Sequence, residues 1–286
     1  MKRLAEIMTT DTEPQQLPST LYSTLIEAVK MSTIGTQLLA QRYGPSSIKG
    51  SSIDVVTSNR NSSAVHVIGE GQEVPIDLAE TSTFNMKPVK YGLRPIVTKE
   101  MQEDGQWDMI QHNIKEGGYR IGEKLDALIL DQLDTAAALS TDDNGASRTA
   151  HTITGGAAIT VKNITDAMNY LEADTYKATD LILDTAVAND VRNIDTFVEA
   201  DKAGVTNPSQ SLIGRIFGMN VWVTTNGTAN YAYIIDRAHA LCLAEKRTLT
   251  IERYDDVTRD LSGVVLTARW VAVCLRPDAI ARIMTS

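Results

Sequence analysis

The stretch Gly69-Glu70-Gly71 is the first part of this sequence whose residue types could do chemistry. It begins like the glycine-rich loop that holds the phosphates of a dinucleotide. The third glycine that such a loop needs is replaced by Val74. Pro75 also cannot continue into the helix that should follow the loop. The sequence therefore does not predict a cofactor loop at this position.

The histidines are the next candidates for catalysis or metal binding. They lie far apart in the sequence, at His66, His112, His151 and His239. None stands four residues from another histidine or beside a cysteine, which are the spacings that metal ligands and general bases use most often. We expect solvated or hydrogen-bonded histidines.

Two further patterns could bind an ion. Asp142-Asp143-Asn144-Gly145 resembles the start of a calcium loop but lacks the later glutamate, so an acidic turn is predicted. Cys242 and Cys274 form neither a CxxC motif nor a zinc spacing, and we predict buried free thiols. The chain contains no nucleophile elbow, although a Ser-His-Asp set formed in space stays open. We therefore predict no catalytic, cofactor-binding or metal-binding residue.

The composition narrows the classes of partner. The 286 residues carry a net charge of −9 with an isoelectric point near 5.0, which disfavours binding to nucleic acid or anionic membranes. Aromatic residues make up only 5%, which argues against a base-stacking site. No stretch reaches the ~18–20 apolar residues of a membrane span, and the N-terminus lacks the apolar run of a signal peptide. A cytosol-like compartment is expected.

A long helix follows the extended segment 84–97 and organises the middle of the chain. Its apolar or small positions alternate between spacings of three and four residues: Trp107, Ile110, Ile114, Gly118, Ile121, Leu125, Leu128 and Ala136. Asp104 is the predicted N-cap. About thirty residues give a rod of roughly 45–50 Å. Gly117-Gly118 predicts a bend halfway along it.

A hairpin with few core-forming residues precedes this helix. Strands are predicted at Ile53–Val55 and Ala64–Ile68, with a polar turn between them and a polar return after Pro75. A two-stranded ribbon is marginally stable in water, so it must lie on another layer. That layer is either a neighbouring subunit or its own domain, and the sequence favours neither.

The remaining segments complete an α+β chain. Residues 1–20 predict a loose arm, residues 21–39 a helix stopped by Gly44-Pro45, and residues 140–156 an exposed linker. An α/β region follows: helices beginning at Thr160 and spanning 186–194, and strands at 181–183, 217–223, 231–235, 249–254, 264–275 (one strand or a pair) and 279–283. Between the last helix and the next strand, residues 200–210 predict an exposed loop.

The order of these elements resembles one family. The segments that carry the resemblance are VIGEGQEVP, KPVKYGLRPIVTKEM, DMIQHNIKEGGYRIGEKLDALIL, IFGMNVWVTTN and the C-terminal run AYIIDRAHALCLAEKRTLTIERYDDVTRDLSGVVLTARWVAVCLRPDAIARI. In this order they resemble the major capsid proteins of tailed double-stranded-DNA viruses of bacteria and archaea, which have the Hong Kong 97-type fold. The individual motifs are loose, but their order covers nearly the whole chain.

The resemblance implies four parts: an N-terminal arm and leading helix (1–47), an extended β-hairpin loop (48–86), a peripheral domain built on the long spine helix (87–150 and 246–276) and an axial α/β domain (151–245 and 277–286). It implies that the extended loop contacts a neighbouring subunit through Val65, Val67, Ile68, Glu70, Val74 and Ile76. It places Thr206, Asn207 and Pro208 towards the axis of the capsomer.

The function that the resemblance implies is that of a major capsid protein. Such a chain self-assembles into pentamers and hexamers of an icosahedral shell, in the host cytoplasm, and encloses viral DNA in the virion. It would need no cofactor, membrane, specific DNA contact or enzymatic activity, and would work with portal and decoration proteins. The sequence lacks the long helical N-terminal extension that some members use as a scaffold, so a separate scaffolding protein or a processed chain is implied.

Two alternatives stay open at this point. An encapsulin-type nanocompartment shares the fold but encloses enzymes. A soluble α+β hydrolase or binding protein would instead be a monomer or small oligomer with one deep pocket.

One position of the extended loop generates a prediction about covalent chemistry. The family member that crosslinks its shell has a reactive lysine just before the loop proline, and this chain has Val74 before Pro75. Mature particles boiled in detergent should therefore release a single band near the 31.2 kDa monomer. A ladder that resists reductant would show that another lysine reacts, with Lys49 and Lys87 as the next candidates.

Overall fold

The structure is a computed structural model that describes residues 34–58, 65–76, 81–100, 108–143, 145–194 and 212–285. The predicted N-cap Asp104, most of the N-terminal arm and the loop 200–210 lie outside these residues. No helix of the described part is long and apolar enough to cross a membrane. The described part has three α-helices, two larger sheets and a two-stranded ribbon.

The long helix, α1 (Asp108–Ala137), has 30 residues, as predicted. Its buried stripe is Ile114, Ile121, Leu125, Ile129, Leu133 and Ala136, with Leu130 and Ala137 beside it. The sequence pattern omitted Ile129, Leu130 and Leu133, because residues 128–130 are apolar in succession and do not show which side faces inward. Leu128, which the pattern included, is only partly buried. The helix passes through Gly117 without interruption, and the predicted bend there stays a prediction.

The first sheet has five strands, β1 (Gln41–Tyr43), β4 (Val89–Leu93), β5 (Ile96–Thr98), β11 (Leu241–Asp256) and β12 (Leu261–Cys274). Their order is β1-β11-β12-β4, and β5 pairs with β12 beside β4. Only β1 runs parallel to its neighbour. The predicted strands at 249–254 and 264–275 are thus parts of two long antiparallel partners. The C-terminal apolar run forms one strand.

The ribbon pairs β2 (Ile53–Ser58) with β3 (Thr81–Met86). The predicted strand at Ala64–Ile68 is wrong for its described residues, because 65–69 form no strand. Residues 81 and 82, which we expected to belong to a polar return, begin the second strand instead, and residues 84–86 of the predicted extended segment continue it. Alternating burial explains this, since Ser82, Phe84 and Met86 face inward between exposed neighbours.

The second sheet has six strands in the order β6-β13-β10-β7-β9-β8. The strands are β6 (Thr152–Thr154), β7 (Asp180–Asp184), β8 (Leu212–Ile216), β9 (Met219–Thr224), β10 (Tyr231–Ile235) and β13 (Ile280–Met284). The helices α2 (Val161–Ala173) and α3 (Thr185–Arg192) cover one face. Helix α2 begins after Thr160, close to the predicted start, and the Thr160 side chain caps it by accepting a hydrogen bond from the Asn163 amide at 3.3 Å.

Three segments differ from the sequence predictions. Strand β8 was missed, and Phe217-Gly218 is not the start of a strand but the turn between β8 and β9, with φ of +48° and +83°. The end of the predicted helix 21–39 is wrong in its described part, where Gly35–Gln37 form a single 3-10 turn. The predicted linker 140–156 is exposed only in part, since His151 is buried and β6 begins at Thr152.

The core is continuous across both sheets because α1 packs against each of them. Side chains from β11 and β12 and from the inner face of the second sheet, such as Ile182, Tyr233 and Ile235, meet the stripe of α1. The opposite face of the five-stranded sheet is covered by the ribbon, whose Ile53 and Val55 pack near Val271. The ribbon therefore lies on its own domain near residues 53 and 86.

One close approach within the first sheet predicts a stability change. A Cβ atom at Gly263 would stand 2.3 Å from the carbonyl oxygen of Pro95, whereas at Gly156 it would meet nothing within 4 Å. Gly263→Ala should destabilise the unassembled subunit by about 1–3 kcal/mol, because β5 would have to move away. Gly156→Ala serves as the matched control. Equal melting temperatures for the two variants would contradict the predicted clash.

Candidate functional site

The six residues predicted to contact a neighbouring subunit lie together in the loop between β2 and β3. Their large apolar side chains are exposed to an unusual degree: Val65 100%, Val67 102%, Ile76 87%, Val74 64% and Ile68 40%. Glu70 is exposed among them. Single exposed apolar residues are ordinary on a protein surface, but a contiguous group marks an interaction site. The described residues 65–76 are named the loop tip below.

The glycines of the loop tip lie in a tight backbone turn. The Gln72 amide donates to the Gly69 carbonyl at 3.1 Å, and the Gly69 amide donates to the Gln72 side chain at 3.3 Å. Gly71 has a φ of +79°, a conformation that favours glycine. The amide of Gly69 is thus already satisfied by Gln72. The Gly69-Glu70-Gly71 pattern is therefore explained by a turn in which the backbone reverses direction.

The ribbon is fixed to its own subunit by hydrogen bonds near both of its ends. The Arg276 guanidinium donates to the Ser58 carbonyl at 2.5 Å, and the Lys246 ammonium donates to the Gly50 carbonyl. Asn85 donates to Asp54 across the ribbon at 2.5 Å. The structure thus separates an anchored ribbon from an exposed loop tip. The predicted axis residues Thr206, Asn207 and Pro208 lie outside the described residues.

Buried charged groups gather where the chain passes between the two sheets. The chain crosses three times, through residues 138–151, 236–240 and 275–279. Two of these crossings and the end of α2 supply one polar cluster: Asp143, Arg148, His151, Asp174, Tyr176, Arg276 and Asp278. The third crossing touches it through His239, whose ring lies 5.6 Å from that of Tyr176. We name these seven residues the junction cluster.

Asp278 and Asp143 are the central carboxylates of the junction cluster. Asp278 is 5% exposed and lies 2.7 Å from the Arg148 guanidinium. Each aspartate also accepts from the backbone amide of the other, at 3.0 and 3.3 Å. Asp143 accepts from the Tyr176 hydroxyl and lies 3.7 Å from Arg276. The predicted acidic turn at 142–145 thus directs one of its aspartates inward, which sequence reasoning missed.

His151 links the crossing to α2. Its Nδ1 lies 3.2 Å from the Ile280 carbonyl and must carry the proton, since that oxygen can only accept. Its Nε2 lies 3.2 Å from Asp174, and its ring stacks on Tyr170 at 5.1 Å. Burial, and then the charge of Arg148, lower the pKa of His151. His151 is thus hydrogen-bonded, which is one of the two environments that the sequence predicted for the histidines.

The junction cluster is an ion-pair network. Ligand atoms of His151, Asp174 and Asp278 lie within 4.8 Å of one another, a spacing that could attract a metal ion. The Arg148 guanidinium already neutralises Asp278 at 2.7 Å, where a metal would have to compete with it. The cluster contains the carboxylates of Asp143, Asp174 and Asp278 and the guanidinium groups of Arg148 and Arg276. One added proton would therefore bring the net charge of these five groups to zero.

Two other carboxylates tie α1 to its surroundings. Asp126, 1% exposed, accepts from the amides of Ile34 and Gly35 at 3.3 and 2.9 Å and from the Asn226 side chain at 3.3 Å. Burial raises the pKa of Asp126. Asp134 lies 2.8 Å from the Arg282 guanidinium, which joins α1 to β13. These contacts fix the first described residues and the second sheet to one helix.

The two cysteines are free, and they cannot pair. Leu241 faces Cys274 across the β11–β12 ladder and Cys242 faces Val273, so the two thiols lie on opposite faces of the sheet. Burial raises the pKa of Cys242 to about 11 and that of Cys274 to about 12. Cys242 is buried as predicted, whereas Cys274 is partly exposed.

The sequence carried one signal for the junction cluster. Arg276 and Asp278 interrupt an otherwise apolar C-terminal run, and charges within such a run are commonly paired. Their partners lie more than 100 residues away, at Asp143 and Arg148. Nothing in local spacing identifies such partners.

Comparison with solved structures identifies the fold. A capsid of a native GTA particle matches with a TM-score of 0.67 and 12% identity, over 99% of this chain and 96% of that one. The capsid of the cyanophage P-SCSP1u matches with a TM-score of 0.66 and 12% identity, over 90% and 89%. The Mycobacterium phage Bobi structure matches with 0.66 and 15%, over 89% and 91%. The fold is thus that of Hong Kong 97-type capsid proteins, a class of shell subunits.

The sequence comparison names the family. A family model described as Phage capsid protein matches residues 81–283. No curated protein matches the chain significantly by sequence. The chain belongs to the phage capsid protein family, and it is a major capsid protein that forms a shell. Its family is one of structural proteins, and the predicted α+β fold is confirmed.

The junction cluster generates a prediction about pH. Burial raises the pKa of Asp278 from 3.8 to about 6, with Asp143 and Asp174 adding to the effect and Arg148 opposing it. Because the folded pKa exceeds the unfolded one, the stabilising contribution is complete below pH ~4 and is lost as pH rises through ~6. Relative to Asp278→Asn, the natural chain should lose at most about 3 kcal/mol of unfolding free energy between pH 4 and 7.

Urea unfolding of unassembled subunits at several pH values measures this difference. Asp131→Asn, on the exposed face of α1, controls for the loss of a carboxylate. If the stability difference between natural chain and Asp278→Asn does not change with pH, Asp278 does not hold its proton more tightly in the folded state.

Proposed function

We propose that this major capsid protein builds an icosahedral shell of pentamers and hexamers around double-stranded DNA. The observation that carries the proposal is the loop tip. Five of its large apolar side chains are exposed, whereas those of the sheets and of α1 are mostly buried. An apolar loop on an anchored ribbon suits a subunit that must hold its neighbours in closed rings.

The loop tip is proposed to lie on a neighbouring subunit. Val65, Val67, Ile68, Val74 and Ile76 would each contribute about 1–2 kcal/mol when covered. The anchored ribbon supports this arrangement, because Arg276 and the core contacts of Ile53 hold it in place before assembly. The sequence left open whether the ribbon lies on its own domain or on a neighbour, and we infer that the ribbon lies on its own domain and the loop tip on a neighbour.

We propose the predicted division into parts as the subunit's domains: arm (1–47), extended loop (48–86), peripheral domain (87–150 and 246–276) and axial domain (151–245 and 277–286). The two sheets support such a division. The predicted boundary at residue 246 differs slightly, since strand β11 of the five-stranded sheet already begins at Leu241. Thr206, Asn207 and Pro208 would face the capsomer axis. The axial position is inferred from the family resemblance.

The charge of the chain suits a DNA container. With a net charge of −9, the shell would repel phosphate and enclose DNA without binding it tightly. We propose assembly in the host cytoplasm, residence in the virion, no enzymatic activity, and work with separate scaffolding, portal and decoration proteins. The comparisons give no support to the encapsulin-type alternative, and family membership replaces the alternative of a soluble enzyme or binding protein. Nucleic-acid analysis of purified particles distinguishes DNA from enzyme cargo.

Replacement of residues 65–76 by a short Gly-Ser linker tests the role of the loop tip. The melting temperature of the unassembled subunit should change little, because the deleted side chains are exposed in the subunit. Shell formation, seen by electron microscopy, should be lost. The milder variant Val65→Ser with Val67→Ser and Ile76→Ser should show the same separation of stability from assembly.

The control is Val56→Ser, which removes an exposed valine from the anchored ribbon outside the loop tip. It should assemble like the natural chain. Normal shells from the truncated chain, or its failure to fold, would count against an inter-subunit role for the loop tip.

A further inference from the structure

We propose that Arg247, Arg269 and Lys90 form a binding site for a phosphate group on the five-stranded sheet. The site lies on the face of that sheet on which the ribbon packs, and we name this face the ribbon face. The three residues are named the cationic row. The inference goes beyond the proposed function, because a shell subunit does not by itself require an anion site.

The cationic row crosses three neighbouring strands at one level. Arg247 of β11 lies opposite Arg269 of β12, and Arg269 lies opposite Lys90 of β4. Directly opposite residues point to the same face of a sheet, with Cβ atoms about 4.5–5.5 Å apart. Val271, which packs near the ribbon, is two residues from Arg269 and therefore shares its face. Three positive side chains thus lie side by side on the ribbon face, over roughly 10 Å.

An irregularity in β11 brings Arg247 into this row. Glu245 lies opposite Trp270, whose side chain belongs to the core on the α1 side of the sheet. Residues two apart on a regular strand share a face, so Arg247 would also point towards α1. The register shifts between Glu245 and Arg247 and again before Thr250, and a bulge of this kind turns a side chain to the other face. The bulge therefore adds a third cation to the ribbon face.

The cationic row has no acidic partner in the described part of the chain. The other two arginines of the five strands are paired, since Arg42 lies 2.5 Å from Glu245 and Arg253 lies 3.0 Å from Asp255. No ion pair among the described residues includes a member of the row. Like charges directly opposite each other destabilise a sheet. An anion from outside the chain would remove this repulsion.

Arg269, in the middle of the row, lacks a hydrogen-bond acceptor. Its side chain is partly buried, and its Nη2 donates to the Pro88 carbonyl at 3.3 Å. Its Nε is buried and has no hydrogen-bond partner among the described residues. A buried donor without an acceptor is costly, and native structures satisfy nearly all such groups. An anion beside the guanidinium would supply both an acceptor and the missing negative charge.

The next level of the ribbon face leaves room beside the row. There Thr250 lies opposite Thr267, and Thr267 lies opposite Gly92. The two threonine hydroxyls are 2.9 Å apart and hydrogen-bond to each other. Gly92 has no side chain that could cover Lys90. Small and uncharged residues thus border the cationic row on this side.

The charge farther along the ribbon face is also mainly positive near β4. Arg94 is exposed, and its guanidinium lies over the ring of Tyr254, 4.6 Å from the centroid. Glu252 is an exposed carboxylate on this face, opposite Val265 and two residues beyond the threonine level. It is separated from the cationic row by that level and does not neutralise it.

Phosphate is the anion whose chemistry suits the row. A guanidinium binds phosphate through two parallel N–H donors, and a lysine adds a mobile point charge. A phosphate ion presents oxygens on all sides, whereas a carboxylate has only two. A free phosphate ion and a backbone phosphate of DNA share this chemistry. The net charge of −9 elsewhere on the chain keeps such a contact local and dependent on salt.

Calorimetric titration of unassembled subunits with inorganic phosphate, at an ionic strength held constant with sodium chloride, tests the site. The natural chain should show saturable binding. Lys90→Gln and Arg247→Gln should each weaken the binding by about tenfold, because each removes one charge-assisted contact. Both side chains are exposed, so the subunit should stay folded. Arg253→Gln, on the same strand but paired with Asp255, is the matched control and should bind phosphate like the natural chain.

Arg269→Lys separates hydrogen-bonding geometry from charge. It keeps the positive charge but loses the planar pair of donors, so phosphate binding should weaken although the net charge is unchanged. Phosphate should also raise the melting temperature of the natural chain, and it should not raise that of the double variant Lys90→Gln with Arg247→Gln. If Arg269→Lys fails to fold, the variants at the two exposed positions still decide the result.

Titration with a short DNA duplex distinguishes the two sources of phosphate. If DNA phosphates occupy the row, the logarithm of the binding constant should fall with the logarithm of salt concentration with a slope of about −3, for three contacts. Lys90→Gln should reduce this slope by about one. Binding of inorganic phosphate without binding of the duplex would assign the site to the free ion.

Two results would overturn the inference. One is the absence of saturable binding to both phosphate and DNA, or binding that Lys90→Gln, Arg247→Gln and Arg253→Gln all weaken equally. The other is binding of a polyglutamate peptide without binding of phosphate, since the row would then serve a protein partner. Neither result bears on the proposed function, which electron microscopy of assembled shells tests separately.

Discussion

The burial of one side of α1 against both sheets is the contact on which the rest of the structure depends. Ile114, Ile121 and Leu125 lie in the same core as the strands of the five-stranded sheet, and Ile129 and Leu133 continue the stripe. At about 1.5–3 kcal/mol for each fully buried large side chain, this stripe outweighs any single polar contact in the subunit. Thirty residues of helix also set the distance over which the core can extend.

A single helix beneath two sheets creates a problem at the junction. The chain must pass between the sheets three times, and each passage brings backbone and side-chain polar groups into a confined space. In the junction cluster, the backbone amides of Asp143 and Asp278 each donate to the carboxylate of the other residue, and Asp278 lies beside Arg148. Buried ion pairs add little net stability, but leaving one member unpaired is costly. The cluster therefore opposes other relative arrangements of the two sheets more than it strengthens the one observed.

The sequence predicted the elements that can be recognised without knowing which distant residues they pair or pack with. The long helix α1, the start of α2 near Thr160 and several of the apolar strands follow from local periodicity. It could not predict the pairing of Gln41 with Cys242, 201 residues apart, or the burial of Asp143. Nor could residues 81–86 be identified as the second ribbon strand, because their apolar side chains are few and their pairing is set by β2. The six residues predicted to contact a neighbouring subunit all lie in the loop tip.

The wrong prediction at Ala64–Ile68 is informative in its own right. Valine and isoleucine in this stretch favour a strand, but residues 65–68 form none in the described part of the subunit, and Val65 and Val67 are fully exposed. Natural sequences are locally consistent with their folds except where function requires otherwise. A segment with high strand propensity that forms no strand in the described part of the subunit is consistent with strand formation against another chain. On the proposed arrangement, the strand propensity of the loop tip would be satisfied only in the assembled shell, by contact with a neighbouring subunit.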